Sequence, residues 1–83
     1  MPVFMDVHEG FVGVTQEQFD EANRLDLEVQ AAEGVSFDRA WLDPESGKVF
    51  CLATGPSIAA VKRVHERAGH PADETYELAI EAR

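Results

Sequence analysis

The feature that most limits how this chain can fold is the placement of its helix start and stop signals. Thr15-Gln16-Glu17-Gln18 is a capping box, with a hydroxyl at the N-cap and a glutamine three residues on. The helix it opens runs to about Ala32 with Phe19, Ala22, Leu25, Val29 and Ala32 along one stripe, and Gly34 stands where a C′ glycine belongs. Ser57 caps a second helix from Ile58 to about Arg67, whose basic Lys62, Arg63 and Arg67 complement its dipole before Gly69 ends it. Everything between these punctuation marks reads as strand. Val3 to Val7 alternates Val3, Met5 and Val7 against Phe4, Asp6 and His8, and Glu9 to Val14, with Gly10 and Gly13, turns the chain. Val35 to Leu42 and Lys48 to Thr54 flank the turn residues Asp43-Pro44-Glu45-Ser46-Gly47, and Glu74 to Glu81 forms a last strand around Tyr76, Leu78 and Ile80.

The resulting order, β-α-β-β-α-β, is the split βαβ pattern of a ferredoxin-like α+β domain, a single unit over residues 1–83. Both helices must then cover one face of a four-stranded antiparallel sheet. The other face is left bare, and the reading gives it Phe4, Asp6 and His8 with Trp41 or Phe50 from the hairpin. A bare face with large apolar groups implies a partner surface, and pairing two such sheets face to face makes a homodimer.

A chain of 83 residues has a thin stability margin and usually needs a disulfide, a metal or a partner. Cys51 is the only cysteine, so no disulfide forms within the chain, and a lone thiol fits a reducing, cytoplasmic setting. The formal charge of −9, with its few Lys and Arg scattered, argues against nucleic acid. No run of about 18 apolar residues is present to span a membrane, and Met1-Pro2-Val3-Phe4-Met5-Asp6 lacks the features of a signal peptide.

In this topology one edge of the sheet gathers Asp6, His8, Asp43, Cys51, His65, His70, Asp73 and Glu74, including all three histidines of the chain. Imidazole with carboxylate suits Ni, Zn, Cu or Fe, and a thiolate shifts the preference towards Zn or Cu(I). Plainer roles compete. His8 is then a generic polar strand end, His65 between Lys62 and Glu66 a solvated helix residue, and His70 before Pro71 a loop residue. Cys51 is an inert buried thiol on that reading, and Asp6 forms an ion pair with Arg39 across the sheet.

The residues Phe4-Met5-Asp6-Val7-His8, Trp41, Gly47-Lys48-Val49-Phe50-Cys51-Leu52, Val64-His65 and Gly69-His70-Pro71-Ala72-Asp73-Glu74 together resemble a family of small bacterial nickel-binding proteins. The resemblance runs over nearly the whole chain. It implies a ferredoxin-like fold, a homodimer, and nickel bound at the dimer surface for sequestration or detoxification. It also implies His8, His65 and His70 as the metal-capable positions, with Asp6 and Asp73 as oxygen donors.

Two other functions are compatible with the pattern. A dimeric α+β barrel enzyme, of monooxygenase or isomerase type, would line a pocket with Asp6, His8, Arg39 and Trp41. Asp6 or His8 would then be the general base. No nucleophile triad, glycine-rich phosphate loop or cofactor motif supports a reaction. A non-catalytic interaction or regulatory module would leave the histidines dispersed. Convergence of the histidines is therefore the observation that separates these readings.

Overall fold

A computed structural model describes residues 1–82 of the 83-residue chain. The strands are β1 (Val3–His8), β2 (Ser36–Asp43), β3 (Lys48–Thr54) and β4 (Glu74–Glu77), and the helices are α1 (Gln16–Val29) and α2 (Ile58–Ala68). The capping box forms as expected: Thr15 Oγ1 accepts from the Gln18 N–H at 3.2 Å while the Gln18 side chain accepts from the Thr15 N–H at 3.0 Å. The expected end of α1 near Ala32 is corrected in detail. The α-helix stops at Val29, and Gln30–Glu33 tightens into a 3-10 turn that Gly34 closes with a left-handed φ of 70°. Ser57 caps α2, and Gly69 ends it at φ 89°.

The sheet has the order β2-β3-β1-β4, all neighbours antiparallel, with both helices on one face. This is the ferredoxin-like α+β fold that the order of elements led us to expect. The last strand is shorter than the expected Glu74 to Glu81. Pairing ends at Glu77, although the Leu78 N–H still donates to the Val3 carbonyl at 2.8 Å. Ile80 beyond it is fully exposed.

One face assignment is reversed. Phe4, Asp6 and His8 were expected on the bare face, yet all three point under the helices and are buried. Strict alternation separates the two sets but leaves open which set faces in. Phe4 decides it, because its ring fills the core with Val35, Ala53, Ala60, Val61 and Val64. The open face instead carries Val3, Met5 and Val7 of β1, Phe50 and Leu52 of β3, and the half-exposed Trp41 and Tyr76. Arg39 lies on that face too, with its guanidinium 5.1 Å from the Trp41 ring centre. It is therefore on the opposite side of the sheet from Asp6, and the expected Asp6–Arg39 ion pair does not form.

The segment after β1 folds back over one end of the molecule. Phe11 N–H donates to the Gly47 carbonyl at 3.0 Å and Gly13 N–H to the Pro44 carbonyl at 3.1 Å. Gly47 has φ 76°, and a Cβ there would stand 2.6 Å from the Val12 nitrogen. Only glycine permits this approach.

Candidate metal centre

The interior is divided along its length. One end is the apolar cluster around Phe4, and the other holds Asp6, His8, Asp26 and His65. Each polar residue is delivered by the same periodicity that builds the core. Asp6 and His8 follow Phe4 on the inward face of β1, where Asp6 pairs across from Cys51 and His8 from Val49. His65 stands four residues after Val61 and one after Val64, on the buried stripe of α2. Its neighbours Lys62 and Glu66 are exposed, whereas its own ring is wholly buried. Asp26 is the one buried residue of α1, on the stripe that begins with Phe19 and Ala22. His70 comes from the turn after Gly69, whose left-handed conformation swings the chain back so that the His70 N–H donates to the His65 carbonyl at 3.0 Å.

His65 is the centre of the arrangement. Its Nδ1–H donates to Asp26 Oδ1 and its Nε2–H to Asp6 Oδ2, each at 2.8 Å. Ionised carboxylates only accept, so both ring nitrogens carry hydrogen and the ring is an imidazolium. Burial alone would lower its pKa, but the bonds it donates to Asp26 and Asp6 outweigh burial and push it up from 6.5 to about 11. The reverse holds for the partners. Burial would raise both carboxyls, yet the His65 bond, with His8 beside Asp6 and His70 on Asp26, holds each below the ordinary carboxylate value. His70 Nε2 donates to the same Asp26 Oδ1 at 2.9 Å. Cys51 remains a thiol at neutral pH. Burial pushes it up to about 11 against a smaller opposing effect of His65.

This half of the interior is not fully satisfied. His8 Nε2 is 3.0 Å from Asp6 Oδ1, but the two are not aligned as a hydrogen bond. Asp6 Oδ1 and both ring nitrogens of His8 are buried without a hydrogen-bond partner. Buried polar atoms in such a state are costly and need a partner. Beside them lies a cavity of about 10 Å³, bordered by His8, Asp26, Cys51, His70, Phe11 and Phe19. That is the room one water or one bare cation needs. Two carboxylates facing one imidazolium leave an excess of negative charge for a cation. Two unpaired nitrogens, one unpaired oxygen, local negative charge and a small space together fit a divalent transition metal.

Of the residues expected at a metal site, Asp6, His8, His65 and His70 converge, and they do so inside the molecule rather than at its edge. Asp73 stands apart. It is exposed, and its Oδ2 accepts from the Glu9 N–H at 2.7 Å, tying the end of β1 to the start of β4. Asp43 accepts from the Glu45 N–H and the Ser46 hydroxyl within its own turn, and Glu74 is exposed. Asp26 went unnoticed in the sequence. The available signal was a carboxylate at the position of the α1 stripe seven residues after Phe19.

A family model described as "Nickel responsive protein SCO4226-like" matches residues 4–78. The crystal structure of SCO4226 from Streptomyces coelicolor A3(2) matches with a TM-score of 0.93 and 52% sequence identity, covering 96% of this chain and 99% of that one. No curated protein matches the chain.

Proposed function

The chain belongs to the SCO4226-like family of nickel-responsive proteins, and from that premise we propose that it binds a divalent cation, nickel first, in the buried His–Asp cluster. The ligands are drawn from His8, His65, His70, Asp6 and Asp26, with Cys51 within reach as a softer donor. The observation that carries this reading is His8. A ring with both nitrogens buried and unpartnered, next to an unpartnered carboxylate oxygen, is a ligand pair waiting for an ion. Asp73 serves as the clamp on Glu9 in this proposal, since its oxygen is already engaged.

Binding without turnover makes the protein a cytoplasmic nickel store or scavenger, acting in sequestration or detoxification. Convergence of all three histidines supports this over a module whose histidines would be dispersed. The reading extends to a homodimer. Trp41, Phe50, Leu52, Met5 and Tyr76 form an uncovered apolar sheet face, and a second copy of the same face covers it.

Titration of tag-free protein with nickel at neutral pH tests the proposal. Saturable micromolar or tighter binding, lost in His8→Ala and His65→Ala, is the expected result. Absent or unaltered binding overturns it. Imidazole must be free of protons to ligate, so the apparent affinity rises with pH.

A further inference from the structure

We infer that the open sheet face takes a second copy of the chain in one orientation, β2 of each subunit over β4 of the other, with Arg39 set against the partner's Glu74. This rests on the homodimer proposed above and goes beyond it to the symmetry of the pair and the charges that select it. Strand register lays the face out in two rows. One reads Arg39, Leu52, Met5, Tyr76 across β2, β3, β1 and β4, and the next reads Trp41, Phe50, Val7, Glu74. The middle of both rows is apolar. The charges stand at the two edges, a cation on β2 and an anion on β4. Past the second row, Asp43 and Lys48 lie beside each other in register and offset one another.

Arg39 has no counter-charge within its own chain. Arg24, Arg63 and Arg67 each pair with a glutamate, whereas among the described residues no carboxylate pairs with Arg39. Its guanidinium rests over the Trp41 ring, 5.1 Å from the centre. Covering the face strips water from this charge, which is costly unless an anion stands beside it. At the opposite edge the Glu74 carboxylate accepts a hydrogen bond from the Tyr76 phenol and raises its pKa above the ordinary 10. A carboxylate and a phenolic oxygen held together in this way are acceptors suited to a guanidinium.

Sheets packed face to face keep their strands nearly aligned, and two copies of one chain are related by a twofold axis. That axis lies in the interface, either across the strands or along them. Across the strands, β2 covers the partner's β2, which gathers two guanidiniums at one edge and two carboxylates at the other. Along the strands, the rows stay level and the strand order reverses. Arg39 then stands over the partner's Tyr76 and one row from the partner's Glu74, within reach of its long side chain, and symmetry supplies the contact twice. Between the edges, Leu52 and Phe50 meet the partner's Met5 and Val7. Both arrangements bury the same apolar residues, so the charges decide between them.

Sedimentation equilibrium of the full chain tests this on the parent, Arg39→Glu, Glu74→Arg and the double reversal. Each single reversal sets like charges together twice and should weaken the dimer by about tenfold or more. The double reversal restores both contacts and should return the affinity to near that of the parent. An equimolar mixture of the two single variants should form a mixed dimer, because one offers two carboxylates where the other offers two guanidiniums. Single reversals that dimerise as tightly as the parent overturn the orientation and leave the homodimer standing. A double reversal no tighter than the singles overturns it as well, and a parent that stays monomeric at millimolar concentration overturns both readings.

Discussion

Nε2 of His65 stands 2.8 Å from Oδ2 of Asp6, although 59 residues separate the two and both side chains are wholly buried. Together with the 2.8 Å bond to Asp26, this makes one imidazolium the counter-charge of two interior carboxylates. The stability of the metal-free protein then depends on pH in a defined way. The raised pKa of His65 contributes stability that is complete below 6.5, declines above it and is gone above about 11. The lowered Asp6 and Asp26 contribute stability that is complete above 3.8 and is lost as pH falls through their depressed values. Maximal stability is expected between about pH 4 and pH 6.5, falling on both sides. Chemical denaturation of metal-free protein from pH 2 to pH 10 measures it, and a flat profile above pH 6.5 would show His65 to be neutral.

Removing the imidazolium should be far worse than removing the whole charged group. His65→Leu strands two buried carboxylates, and breaking a buried ion pair in this way costs about 3–5 kcal/mol. Replacing all three groups with apolar side chains, His65→Leu with Asp6→Leu and Asp26→Leu, should recover much of that loss. Urea unfolding of both variants makes the comparison. A single variant as stable as the parent contradicts the ion-pair account.

Gly47→Ala should loosen the segment that covers the site. The new methyl meets the Val12 nitrogen at 2.6 Å, and the residue must also keep φ at 76°. A loss of at least about 1 kcal/mol is expected, together with faster exchange of the Phe11 amide, whose bond to the Gly47 carbonyl closes the loop. Hydrogen exchange read by NMR resolves this. Unchanged protection at Phe11 would mean the loop is held elsewhere.

A charge placed on the open sheet face should separate the proposed dimer without touching the proposed metal site. Leu52 lies on the outer side of β3, opposite the buried Cys51 and Ala53 that flank it. Leu52→Glu is expected to give a monomer in analytical ultracentrifugation at concentrations where the parent is a dimer, with nickel stoichiometry per chain unaltered. A dimer that persists would assign pairing to another surface.

The architecture was legible in the sequence because its boundaries are written as local chemistry. The Thr15–Gln18 box, Gly34, Ser57 and Gly69 each satisfy or end a helix by their own side chain or backbone freedom. The convergence of His8, His65 and His70 was also legible, since strand direction alone brings those ends together. Which face of β1 turns inward was not. That depends on the packing of Phe4 against α2, a contact between distant segments. Asp26 escaped for a related reason. A carboxylate on a helix stripe reads as solvated until the partner that neutralises it, 39 residues away in His65, is known. Asp73 was grouped with the donors by the sheet edge and the resemblance, and its short bond to the Glu9 N–H gives it a structural use that spacing cannot reveal.

The wide separation of the donors along the chain also sets the order of events in making the protein. Asp6 and His65 are 59 residues apart and Asp26 and His70 are 44 apart, so neither half of the cluster exists until α2 has docked on the sheet. Only Asp6 with His8 and His65 with His70 stand close in sequence, so an emerging chain carries pairs of these donors but no complete cluster. On the proposed reading, full loading is thus deferred until the fold is complete, and a filled site certifies a finished molecule.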